Sequence, residues 1–289
     1  MRIAELFKRN EPVFSFEFFP PKTEEGVEKL YDTIGLLAEL EPAFVSITYG
    51  AGGTTRRLTM ELATRIKEQT GLEVMAHLTC VNQSRDELEA TIGHMVDHGI
   101  ENVLALRGDP PKGSTEFVAV EGGFSNANHL IEFIREKFDV CIGAACYPEG
   151  HVENPSKEDD LNRLKSKVDA GAEFLVSQLF FESSLYSEFA ARARAVGISV
   201  PIMPGLMPVT NVHQVQKFSA TIGAAIPERL LQRLERYKSD DQAITALGIE
   251  WSLEQARDLL KNGAPGVHFY TLNRSLSTRV VCRALQTGL

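Results

Sequence analysis

Eight short apolar runs, each followed by a stretch long enough for a helix, constrain this chain more than any single motif. They are "VFSFEFF" from Val13, "FVSITYG" from Phe44, "EVMAHLTC" from Glu73, "NVLALRG" from Asn102, "VCIGAACYP" from Val140, "FLVSQLFF" from Phe174, "VPIMPGL" from Val200 and "GVHFYTL" from Gly266. Runs of this length, rich in β-branched and aromatic residues and closed by Gly or Pro, read as strands buried on both faces. The intervals carry helix signals: Thr23 before "EEGVEKLYDTIGLLAEL", Ser84 capping "RDELEATIGHMVDHG" up to Gly99, and "KEDDLNRLKSKVDAG" closing on Gly171. Strands that alternate with helices eight times within 289 residues predict a (β/α)8 TIM barrel, α/β in class and a single domain over residues 1–289. The seventh interval also contains "PERLLQRLERY", so an elaboration is expected between strands seven and eight.

Composition narrows the function. A net charge of -9 argues against a general nucleic-acid binder, while leaving room for a local cationic pocket. No apolar run approaches the about 20 residues a membrane span needs, and "MRIAELFKRN" at the start reads as a short charged amphipathic turn. A cytoplasmic protein is expected. Cys80, Cys141, Cys146 and Cys282 form no CxxC and sit mostly in strand-like runs, which predicts reduced core thiols.

A barrel places its chemistry at the C-terminal ends of its strands. The polar residues near those ends are Glu17, Thr48 with Tyr49, His77 with Thr79, Arg107 with Asp109, Tyr147 with Glu149 and His151, Gln178, and Tyr270 with Asn273. Glu17 is the most demanding, because it lies among Phe14, Phe16, Phe18 and Phe19, and burying a lone carboxylate there is costly. Strand alternation turns Val13, Ser15 and Glu17 toward the barrel interior and Phe14, Phe16 and Phe18 toward the helices. Desolvation in such a mouth pushes a carboxyl pKa up, as a general acid near neutral pH requires. Two readings stand at this point: a general acid, or one half of a structural ion pair with a residue such as Arg107.

"LALRGDPP" puts Arg107 and Asp109 either side of Gly108, which allows close approach of a flat ligand between an anion-binding and a cation-stabilising group. The glycine-rich "YGAGGTTR" lacks both phosphate-loop patterns and reads as a mouth loop. The strands contain neither a lysine for Schiff-base chemistry nor an HxH pair, so no metal centre is expected. A mouth of apolar, amide and hydroxyl groups with two carboxylates suits a large planar cofactor.

Taken in order, "FSFEFFPPKTEEG", "FVSITYGAGGTTR", "HLTC", "LALRGDPP", "ACYPEGH", "QLFF", "PGLMPVTN" and "HFYTLNR" resemble the sequence blocks of bacterial methylenetetrahydrofolate reductases, over roughly residues 13–274. That resemblance implies a flavin-containing barrel that passes hydride from NADH or NADPH through FAD to methylenetetrahydrofolate, with no room for the eukaryotic regulatory extension. A homo-oligomer is the expected assembly.

Matched motif by motif, the resemblance makes Glu17 the general acid and Asp109 the carboxylate beside flavin and pterin. It assigns Thr48, His77, Leu106, Arg107, Gly108, Asp109, Tyr147 and His151 to FAD, with Asp160, Ser166 and Lys167 on its ribose and phosphates. Phe124 and Ser125 fall at cofactor positions where relatives often place Tyr and Ala. Gln178, Gln214, Phe218, Leu272 and Arg274 correspond to the folate and nicotinamide side, with Glu17, Thr48 and Asp109 also facing substrate. Both reactants would use one face of the flavin in turn, which is ping-pong behaviour. A pterin-using transferase without flavin and a folate-binding subunit without turnover are the alternatives.

Overall fold

The computed structural model describes residues 1–49, 53–110, 117–154 and 156–288, with side chains from Arg57 onward in the helix that begins at Gly53. Most of the glycine-rich "YGAGGTTR" segment and the residues that follow "RGDP" lie outside this description. Among the described residues the strands are β1 (Val13–Phe18), β2 (Phe44–Ile47), β3 (Val74–Thr79), β4 (Asn102–Leu106), β5 (Cys141–Cys146), β6 (Phe174–Ser177), β7 (Ile202–Met203), β8 (Gly205–Leu206) and β9 (Gly266–Tyr270). The helices are α1 (Ile3–Leu6), α2 (Glu24–Ala38), α3 (Gly53–Thr70), α4 (Arg85–Asp97), α5 (Ala127–Lys137), α6 (Lys157–Asp169), α7 (Ser183–Ala195), α8 (Val212–Ile222), α9 (Glu228–Arg236), α10 (Asp241–Lys261) and α11 (Leu276–Thr287).

All strand pairs are parallel, in the order β7-β6-β5-β4-β3-β2-β1-β9-β8. The eight predicted runs become nine strands because the seventh is divided at Pro204, which has no N–H for a ladder. β7 pairs with β6 and β8 with β9, so the chain itself closes the barrel across the proline. Neighbouring groups complete the seam: the Pro204 carbonyl accepts from the His268 N–H at 2.9 Å, and Ser177 Oγ accepts from the Gly205 N–H at 2.9 Å. Residue 205 has to be glycine, since a Cβ there would lie 2.4 Å from the Ser177 carbonyl oxygen and 2.5 Å from the Tyr270 ring.

Helix starts follow the local signals. Thr23 caps α2, Ser156 caps α6, and Ser84 with Glu87 forms a reciprocal capping box on α4. The alternation inferred for β1 holds: Phe16 and Phe18 are fully buried in the layer between strands and helices, whereas Val13 joins the cluster inside the barrel. That inner cluster is sealed at the N-terminal end by α1, whose Ile3 and Leu6 meet Phe44, Met75, Leu104 and Phe174. The opening segment is therefore a plug, a role its charged composition did not suggest. All four cysteines are free and buried, as expected. A satellite core of Met207, Val215, Leu230, Leu247 and Trp251 packs α8, α9 and α10, which occupy the interval between β8 and β9, beside the barrel mouth. Among the described residues no helix is long and apolar enough to cross a membrane.

Candidate active site

With the bottom plugged, the C-terminal ends of the strands enclose a cleft of about 1000 Å³. β1 delivers Glu17 into it, with a side chain 17 % exposed. Its Oε2 is the focus of three groups from three other strands. His268 Nε2 lies at 3.3 Å, His77 Nε2 at 3.4 Å as an ion-pair contact, and Ser46 Oγ donates at 3.4 Å. His268, wholly buried, is fixed from behind by Ser15 Oγ at 2.7 Å from its Nδ1, by the stacked ring of Phe44 and by the edge of Tyr270.

This cluster corrects the expectation of a raised carboxyl pKa. Burial does push Glu17 up, but hydrogen bonds from His268 and His77, together with their charge, hold it down to about 2. The alternative partner is also excluded, because Arg107 makes a bidentate pair with Glu153 at 2.5 and 2.8 Å. The sign of the stability effect follows. A carboxyl whose pKa drops from 4.5 to about 2 on folding stabilises fully above the higher value and loses that contribution as pH falls toward the lower one. Between about pH 5 and about pH 3 the wild type should lose about 2 kcal/mol more than Glu17→Gln in denaturant titrations. Equal losses would mean that Glu17 is not held ionised by its histidines.

Most of the other predicted residues line the same cleft. Thr48, His77, Leu106, Arg107, Gly108, Asp109, Ser125, Tyr147 and His151 stand at its strand ends and loops, Asp160, Ser166 and Lys167 on α6, and Gln178, Phe218 and Leu272 on the opposite side. Gly108 has φ +88°, and a Cβ there would lie 3.0 Å from Thr79 Cβ and 3.1 Å from Val81. Both its conformation and its space require glycine. Lys167 is sunk below the surface, donates to the Ala145 carbonyl at 3.1 Å and has its pKa lowered, chiefly by burial. Burial raises Asp160 in spite of the nearby Lys167, and it raises Tyr147 further, with Asp109 and Asp160 adding to the effect. Gln178 accepts the Leu179 N–H on its own Oε1 at 2.8 Å, which commits that end of the amide.

Three expectations fail as cavity contacts. Phe124 is 5 % exposed in the core, against Phe133 and under the Arg85 guanidinium; its neighbour Ser125 takes the opposite side of the chain and reaches the cleft. Gln214, in the first turn of α8, and Arg274, which reaches Thr210 Oγ1 at 3.5 Å, both stand outside the cavity wall. The sequence reading also passed over residues. Arg163 lines the cleft between Asp160 and Lys167, where the i, i+3, i+7 spacing on one helix face would have revealed it. His268 was recoverable from the same alternation that turned Glu17 inward.

The residues fit a large polar ligand with a planar part. Two buried polar atoms on the cavity wall, Thr79 Oγ1 and Asn154 Nδ2, have no hydrogen-bond partner among the described residues. Buried groups of this kind are normally satisfied, so they mark places for ligand atoms or water. Arg107, Arg163 and Lys167 line the same cavity, Arg107 already paired with Glu153, and Gly108 lies on its wall.

These features define a TIM-barrel protein with a carboxylate–imidazole centre at its mouth and an adjoining cationic cradle. Residues 2–286 match the methylenetetrahydrofolate reductase family. Methylenetetrahydrofolate reductase (NADH) 1 of Arabidopsis thaliana is 40 % identical over 283 residues, covering 94 % of this chain and 48 % of that protein. The 5,10-methylenetetrahydrofolate reductase of Escherichia coli is 38 % identical over 271 residues, covering 94 % of this chain and 90 % of that one. The chain belongs to the methylenetetrahydrofolate reductase family, and it spans about half the length of the plant relatives it matches. Its fold is shared by a Clostridium thermocellum protein that binds two copies of 5-methyl-5,6,7,8-tetrahydrofolic acid, with a TM-score of 0.65, 16 % identity and full coverage of both chains.

Proposed function

We propose that the protein reduces 5,10-methylenetetrahydrofolate to 5-methyltetrahydrofolate with NADH or NADPH, in a ping-pong hydride relay through FAD. The observation that carries this reading is the convergence, in a chain of this family, of the Glu17–His77–His268 centre and a cationic cradle on one cavity. Bound flavin supplies the hydride chemistry, taking hydride from the nicotinamide and passing it to the folate.

The protein's own residues hold the reactants and handle charge. Arg107, Arg163, Ser166 and Lys167 hold the phosphates and Asp160 the ribose, while Thr48, His77, Leu106, Gly108, Ser125, Tyr147 and His151 surround the ring system. Gln178, Phe218 and Leu272 face folate and nicotinamide in turn, with Gln214 and Arg274 beyond them at the rim. The Glu17 cluster gives a proton to the folate nitrogen that departs when the five-membered ring opens, and Asp109 supplies negative field for the cationic iminium that results. Residues 1–289 act in this reading as one catalytic barrel of a cytoplasmic homo-oligomer.

The purified protein should be yellow, bleach under anaerobic NADH or NADPH and recolour on addition of methylenetetrahydrofolate. A colourless protein that binds folate would favour the pterin-using transferase, and folate binding with no bleaching would favour a non-catalytic subunit.

A further inference from the structure

The turn after β9 contains two consecutive residues with left-handed backbone, Leu272 at φ 51° and Asn273 at φ 56°. Asparagine tolerates this region, but leucine there is strained unless its surroundings hold it. What holds it is a substitute for a strand ladder. The β1–β9 pairing ends at Glu17 and Tyr270, and beyond that point side chains take over. Thr271 Oγ1 donates to the Glu17 carbonyl at 2.6 Å. The Asn273 carboxamide accepts from the Phe19 N–H at 3.0 Å and donates to the Phe19 carbonyl at 2.8 Å. One side-chain amide thus meets both backbone groups of one residue, as peptide groups of a neighbouring strand would. The turn is tied further by the Asn273 N–H on Thr271 Oγ1 at 3.1 Å and by Thr33 Oγ1 on the Asn273 carbonyl at 3.4 Å.

The consequence falls on the cavity. Phe19, Thr271 and Leu272 all lie on its wall with Glu17, and Leu272 packs against the satellite core, as Phe218 and Tyr270 also do. Returning residue 272 to an ordinary negative φ would turn its side chain out of that wall.

We propose that Asn273 is a positioning residue: its carboxamide clasp on Phe19 locks Leu272 in the left-handed conformation and so keeps the wall against which nicotinamide and folate lie. The inference rests on the flavin and folate reading above. It is tested on the holoenzyme by anaerobic flavin reduction with NADH and reoxidation with methylenetetrahydrofolate, in wild type, Asn273→Ala, Leu272→Ala and the double variant. Asn273→Ala should raise the half-saturating concentration of both reactants about tenfold, with flavin content unchanged. In the Leu272→Ala background the same change should add less than about twofold, because the wall through which it acts is already gone. Asn273→Asp should behave like Asn273→Ala, since a carboxylate cannot donate to the Phe19 carbonyl; this variant also covers the case in which the alanine protein fails to fold. A residue that merely supports the fold would lower the thermal midpoint and act equally in both backgrounds, which would overturn the inference. Wild-type bleaching with unchanged half-saturation in the Asn273 variants would overturn it alone. A wild type that NADH and NADPH both fail to bleach would overturn the functional reading together with it.

Discussion

Glu17→Gln should leave flavin reduction by the nicotinamide within about tenfold of wild type and slow reoxidation by methylenetetrahydrofolate about 100-fold or more. The amide keeps the size of the carboxyl but cannot release a proton near neutral pH, and only the folate half-reaction needs one. The geometry sharpens the expectation. Glu17 Oε2 lies between His268 Nε2 and His77 Nε2, and its carboxyl is held at about 2. A carboxyl with that pKa is almost fully ionised at neutral pH, so Glu17 has to take up a proton before it can deliver one. Stopped-flow traces separate the two half-reactions directly. If Glu17 serves only as an ion-pair partner, the substitution impairs both half-reactions together or neither. Folate-driven reoxidation at the wild-type rate would remove Glu17 from the chemistry.

Lys167→Met should weaken flavin binding by about 10- to 100-fold, equivalent to about 1.5 to 3 kcal/mol for a charge-assisted hydrogen bond. Methionine keeps the apolar stem and deletes the charge. The ammonium donates to the Ala145 carbonyl at 3.1 Å and lies 6.0 Å from the centre of the Tyr147 ring, and burial lowers its pKa in spite of the nearby Asp160 carboxylate. A buried cation whose pKa stays lowered beside one carboxylate is only partly compensated until a further anion arrives. The thermal midpoint of the flavin-free protein should therefore hold steady or rise in the variant, and the midpoint of the flavin-loaded protein should fall. Flavin titrations that give the wild-type dissociation constant would place the phosphates elsewhere.

What the letters determined alone is what depends on near neighbours along the chain. Eight apolar runs with helical intervals carried the barrel, because strand and helix periods are written within a dozen residues. The helix starts at Thr23 and Ser84 were legible for the same reason, being contacts three residues apart. Alternation along β1 was enough to turn Glu17 inward, and a strand end was enough to place Arg107, Asp109, Tyr147 and Gln178 at one mouth. The tertiary structure decided everything that depends on who meets whom across the barrel. The sign of the Glu17 shift reversed because His268 is 251 residues away and His77 stands on another strand, and their hydrogen bonds and charge together outweigh the desolvation that sequence could foresee. Phe124 and Ser125 fell on opposite sides of an irregular segment that has no period to read. Asn273 looked like one more polar residue at a strand end until its amide was found on both backbone groups of Phe19, 254 residues distant. A pKa or a clasp is a property of neighbours in space, and only the closed barrel makes those neighbours.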